Sequence, residues 1–183
     1  MAVSCGRRYV EFTLIKIETK RLVLREVTPD DAAFFLALLN DPDWIRNIGD
    51  RNVHSLDDAV AYMHKAYIPQ YAKHGFGLYL AARKDGTPIG MCGLIKRDTL
   101  DDVDIGFAFL PAYRGQGYAL EAARATLQYG RDVLNKNRMV AITLPDNLPS
   151  VALLEKIGMK FARKIRLGDD PDELALYAIE LQA

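Results

Sequence analysis

The sequence predicts an α/β (α+β) fold: a single domain with a mixed, mostly antiparallel sheet and helices on both faces. Two patterns lead to it. Three strand-like runs, residues 78–83, 88–96 and 103–110, follow one another with connections too short to make parallel neighbours. A strand, a long helical pattern and a second strand (residues 103–110, 118–134 and 138–144) then form a crossover, which calls for parallel strands and a right-handed connection. The element order expected for the chain is β-α-α-β-β-β-α-β-α-β-β.

Composition sets the bounds. A chain of 183 residues, 50% hydrophobic and 26% charged, suits one globular domain with a sizeable core. Lys+Arg and Asp+Glu are equal at 24 each, so no global field recruits nucleic acid or an anionic membrane. Cys5 and Cys92 are too few for a disulfide framework, and a reducing, cytoplasmic setting is expected. No apolar run approaches the roughly 18 residues of a membrane span. His54, His64 and His74 are not at metal-ligand intervals, so no metal is expected.

Residues 1–20 read as an extension whose apolar half supplies an edge strand, ahead of one domain over residues 21–183. Residues 21–26 alternate as a strand, with Leu22 and Leu24 on one face. Thr28, Pro29, Asp30 and Asp31 start a helix: a cap, a proline suited to the first position, and two acids at the positive end. A short helix over 42–48 and another opening at Ser55 follow, the latter disturbed by Pro69. The turn Asp85-Gly86 joins the first two runs of the strand series as a hairpin. Leu120, Ala123, Leu127 and Leu134 give the long helix one buried face. Asn147 to Ser150 open a last helix that Gly158 stops. Two strands, 159–167 and 173–181, flank an acidic turn at 168–172.

The chemistry centres on Arg114-Gly115-Gln116-Gly117-Tyr118-Ala119, between a strand and a helix. The first N–H groups of a helix lack internal partners, and its dipole makes that end positive, so such a turn binds phosphate. The two glycines let the backbone approach a bulky anion, and Arg114 adds charge at the mouth. The Lys-Ser/Thr ending of a nucleotide triphosphate loop is missing, and Leu120 stands where a dinucleotide fingerprint needs a small residue. The bland alternative is a ligand-free strand–helix turn.

Four stretches together resemble the GCN5-related N-acetyltransferase (GNAT) superfamily, in its RimJ/RimL-like branch. They are Thr19 to Arg25, Asp104-Ile105-Gly106-Phe107, the loop just described, and Asn147-x-x-Ser150 running on to Leu154-Glu155-Lys156-Ile157-Gly158-Met159. The resemblance implies transfer of an acetyl group from acetyl-CoA, as acyl-donor substrate, to a primary amine: a protein N-terminus or a small amine. It implies direct attack in a ternary complex and a monomer or homodimer. It places the pyrophosphate on the amides of Gly115, Gln116, Gly117, Tyr118 and Ala119. The pantetheine arm lies against the backbone near Phe107, Phe109 and Leu110, in a gap between two splayed strands, with a bulge near Pro111. The side chains of Phe107 and Phe109 also suit the core.

For catalysis, Asp104 stands where the histone-acetylating branch carries its acidic base, and a buried carboxylate there suits proton removal. A salt bridge is the plain alternative. Asn147 reads as a helix cap and, by resemblance, as a cofactor contact. Ser150 reads as a first-turn residue and as a donor to the departing sulfur. Leu154 departs from the pattern, since many relatives carry a Tyr acid there. That departure keeps open a non-catalytic acyl-CoA-binding or sensor module. Trp44, Arg46, Asp50 and Arg51 fall where the family builds its acceptor wall, and Trp44 equally suits the core.

Overall fold

A computed structural model describes residues 15–168 and 172–181. The expectations for Cys5, for the extension before residue 15 and for the tip of the last acidic turn lie outside the described residues. Eight strands form one sheet in the order β1-β2-β3-β4-β5-β6-β8-β7. The strands are β1 Ile15–Glu18, β2 Leu22–Arg25, β3 Leu78–Arg83, β4 Pro88–Ile95, β5 Val103–Phe109, β6 Arg138–Thr143, β7 Lys160–Ile165 and β8 Leu174–Glu180. Every neighbouring pair is antiparallel except β5 and β6. The final hairpin places β8, not β7, beside β6. Ile15–Glu18 pairs with β2 at the edge of the sheet, the edge strand expected from residues 1–20.

The helices are α1 Ala32–Leu39, α2 Pro42–Ile48, α3 Leu56–Ala66, α4 Ile68–His74, α5 Tyr118–Asp132 and α6 Leu148–Lys156. Four helices, rather than two or three, separate β2 from β3. Asp31 acts as expected at the first start: its carboxylate accepts from the Thr28 amide at 2.9 Å and pairs with Arg25 at 2.6 Å. Asp41 caps α2 by accepting from the Asp43 and Trp44 amides, both at 3.2 Å. Pro69 lies in the first turn of α4, where its missing N–H costs nothing, and so divides α3 from α4.

Both faces of the central strands are covered. Ala122, Ala123 and Leu127 of α5 pack with Leu22, Leu24, Tyr79, Leu94 and Ile105 on one side. Phe34, Phe35 and Leu38 of α1 and Met63 of α3 pack with Leu80 and Met91 on the other. This explains why β4 reads as a nearly unbroken apolar run rather than an alternating one. Cys92 is fully buried against Thr126 of α5, and burial pushes its thiol up to about 12. Glu121 anchors the β1–β2 turn onto α5, accepting from Thr19 Oγ1 at 2.7 Å, the Arg21 amide at 2.8 Å and Arg21 Nε at 2.5 Å.

Candidate active site

Strands β5 and β6 pair only through Val103 with Met139 and Asp104 with Val140. Beyond those residues the two strands share no further register. The amide of Leu110 donates to the Ile89 carbonyl at 3.0 Å. By the alternation of an antiparallel ladder, Ala108 and Gly106 also turn toward β4, while Phe107 and Phe109 turn their N–H groups to the open side. Leu110 therefore has no free amide for a ligand, a correction to the expected backbone edge. The β4–β5 register runs unbroken from Gly90–Phe109 to Ile95–Asp104, so the expected bulge is absent. A 3-10 turn over Pro111–Tyr113 redirects the chain instead.

That turn delivers the Gly-containing loop. Gly115 and Gly117 have φ of 72° and 79°, a region that carries steric cost for any residue with a Cβ. Gly117 immediately precedes α5 and provides no side-chain cap. The amides of residues 115–120 make no hydrogen bond within the described chain. Unpaired donors at the positive end of a 15-residue helix are an arrangement that suits an anion.

The charge around this loop differs from expectation. Arg114 does not stand free at the mouth. Its Nη2 pairs with Asp41 at 2.6 Å, its Nη1 with Asp43 at 2.5 Å, and its Nε donates to the Phe109 carbonyl at 2.8 Å. Arg114 thus ties α2 to the end of β5. Arg21 is the cation that touches the loop: Nη1 donates to the Gln116 carbonyl at 3.0 Å, and the guanidinium lies 4.4 Å from the Tyr118 ring centre. Gln116 braces the loop through Nε2 on the Ala112 carbonyl at 2.8 Å.

Two cavities flank the splay. One of about 520 Å³ runs past Arg114, Gly115, Gly117, Tyr118, Ala119 and Phe109. The other, about 340 Å³, is walled by Arg51, Lys96, Arg97, Asp104 and Leu154. Trp44, Phe107, Ala108, Asn147 and Ser150 line both. The size of the 520 Å³ cavity and the unpaired amides beside it suit a long, phosphate-bearing ligand such as a coenzyme A thioester.

Asp104 is 1% exposed and sits at the last paired residue before the strands part. Its Oδ2 accepts from Arg97 Nε at 2.6 Å, while Oδ1 has no hydrogen-bond partner. Burial raises its carboxyl to about 6, against the pull of Arg97 and of the Ile142 amide, which falls short of hydrogen-bond geometry. Asp102, two residues earlier, pairs with Arg138. Asn147 Oδ1 caps α6 by accepting from the Ser150 amide at 3.3 Å, and Ser150 Oγ makes no hydrogen bond within the described chain. Leu154 is buried and offers no proton. Phe109 is buried against the Gly90 backbone, whereas Phe107 is half-buried between the cavities. Among the described residues no cluster of His, Cys, Asp and Glu can hold a metal ion.

Sequence reasoning brought together the loop, Asp104, Asn147 and Ser150. It missed Arg97 as the partner of Asp104 and Arg21 as the loop's cation. Arg97 lies just past β4 and reaches Asp104 only because Ile95 and Asp104 face each other across the ladder. Arg21 stands 95 residues before Gln116, and nothing local joins them.

The model of the acetyltransferase (GNAT) domain matches residues 21–160. The uncharacterized N-acetyltransferase YnaD of Bacillus subtilis is 32% identical over 167 residues, covering 89% of this chain and 95% of YnaD. A GNAT-family acetyltransferase structure from Bacillus anthracis is 27% identical with a TM-score of 0.74, covering 90% of this chain and 97% of that one. RimL, a ribosomal α-N-protein acetyltransferase in complex with coenzyme A, shares the fold with a TM-score of 0.74 at 16% identity, covering 92% of this chain and 98% of RimL.

Proposed function

This chain belongs to the acetyltransferase (GNAT) domain family, and from that membership we propose that it moves an acetyl group from acetyl-CoA to a primary amine, on a protein N-terminus or a small molecule, by direct attack in a ternary complex. The observation that carries the reading is the row of unpaired amides at residues 115–120 leading to a gap that opens after Asp104 and Val140. The likeness to RimL, which binds coenzyme A, supports the donor and the RimJ/RimL-like branch.

Each residue then has a task. The amides of Gly115, Gln116, Gly117, Tyr118 and Ala119 hold the pyrophosphate. The outward N–H groups of Phe107 and Phe109 receive the acyl arm as an added strand and give a donor to the developing oxyanion. An ammonium near neutral pH must lose a proton before it attacks, and Asp104 takes it. The amine nitrogen adds to the thioester carbonyl, the C–S bond breaks as the C–N bond is kept, and the second nitrogen proton ends on the departing sulfur, which Ser150 hydrogen-bonds. A thiol is acidic enough to depart without a strong acid, which accommodates Leu154 where many relatives carry Tyr.

That same Leu154 favours a second reading, a non-catalytic acyl-CoA-binding module. A screen of amines and peptides for acetyl-CoA-dependent CoA release separates the two. Thiol release with any acceptor supports transfer. Tight acetyl-CoA binding with no release across the panel supports the binding module.

A further inference from the structure

Building on the transferase reading, we propose that the acceptor amine carries a carboxylate, and that the cavity around Asp104 disfavours polyamines. Arg51, Lys96 and Arg97 line this cavity, and Asp104 is the single carboxylate among its described lining residues. The chain as a whole is balanced at 24 cations and 24 acids, so the imbalance is local. Asp104 already faces Arg97 at 2.6 Å. A second ammonium on an acceptor therefore meets no acidic side chain there and three cations instead, which is selection by repulsion.

The cations retain capacity toward an anion. Arg51 uses Nη2 on the Ile48 carbonyl at 3.0 Å, and Arg97 uses Nε on Asp104, leaving the other guanidinium nitrogens of both without a hydrogen bond among the described residues. Lys96 is more committed, its Nζ lying 2.7 Å and 2.8 Å from the Leu100 and Asp101 carbonyls. Guanidinium groups match the planar geometry of a carboxylate.

Trp44, 6% exposed, lies among the same lining residues. Two sources offer the carboxylate: a free amino acid, or an acidic residue near a peptide N-terminus.

Trp44 is the chain's one tryptophan, so its emission reports on the cavity without turnover. The CoA-saturated protein is titrated with aspartate, glutamate, peptides with acidic N-terminal residues, the carboxamide counterparts of each, and spermidine. CoA release from acetyl-CoA is measured with the same compounds. Carboxylates are expected to shift the emission and saturate, with carboxamides about tenfold weaker or worse and spermidine weaker still. CoA release follows the same order, and Arg51→Glu narrows the preference for carboxylates over spermidine. Whichever carboxylate arm saturates first identifies the source. Spermidine binding as tightly as the carboxylates, carboxamides matching them, or no compound perturbing Trp44 overturns the proposal. Carboxylates that bind without releasing CoA defeat the transferase reading and leave the selectivity standing.

Discussion

Arg97 Nε lies 2.6 Å from Asp104 Oδ2, at the residue where β5 and β6 part. The carboxylate is buried, and the guanidinium beside it is a third exposed, at 34%. Burial raises the carboxyl to about 6, and Arg97 restrains that rise. The pair therefore sets at what pH the site can accept a proton.

Activity against pH should carry an acid limb near pH 6, because below it Asp104 is protonated and takes no proton from the amine. Asp104→Asn is expected to lower kcat by about 100-fold or more and to erase that limb. Arg97→Gln removes the restraint and should move the limb to higher pH. A profile unchanged by Asp104→Asn removes Asp104 from the mechanism.

The same carboxylate should show in stability with an unusual sign. Its folded value lies above its ordinary one, so ionising it disfavours the folded state. The penalty is absent below about pH 4, grows through the interval, and is fully present above about pH 6. Asp104→Asn should thus stabilise the protein at pH 7.5 by an amount on the order of 2 kcal/mol, and by much less at pH 3.5. Thermal melts of both proteins across that range check it, and a gain independent of pH contradicts the buried-charge account.

Gly117→Ala tests the loop. At a φ of 79° an added Cβ costs about 1–2 kcal/mol, and the nearest side-chain atom, Arg21 Nη2 at 3.4 Å, can yield. Redirecting this amide should weaken acetyl-CoA binding about tenfold, as measured by calorimetry. Gly86→Ala, at a φ of 88° in the β3–β4 hairpin, should cost similar stability with no change in that binding. Equal binding by both variants tells against the loop as the phosphate site.

Asn147 and Ser150 should separate cleanly. Asn147→Ala removes the cap on α6 and should cost about 1 kcal/mol of stability. Ser150→Ala leaves that cap bond in place, because the donor is the backbone amide. It should leave the melting temperature nearly unchanged and slow turnover several-fold. Turnover identical to the parent protein excludes the Ser150 hydroxyl as the sulfur's donor.

Much of this architecture was legible because its signals are local. A strand run, two glycines and a helical pattern are contiguous, so the turn with open amides at residues 115–120 follows from their order. Asp104 was found through resemblance, and Asn147 through its place at a helix start. The extra helix α4 was hinted at by Pro69 alone. The 3-10 turn over Pro111–Tyr113, found where a bulge was expected, was not legible, since a 3-10 turn and a bulge redirect a chain with the same residue types.

The sequence by itself determined the element types, the antiparallel run β3–β4–β5, the crossover through α5 and the open amides at its start, because backbone geometry over neighbouring residues dictates each of these. Only the tertiary structure decided how the charges pair. Asp41 and Asp43 claim Arg114, Arg97 claims Asp104, and Arg21 comes to the loop. Such choices depend on which side chains packing brings within 3 Å, and the separations involved, 71 to 95 residues for Arg114 and Arg21, leave no periodic trace along the chain.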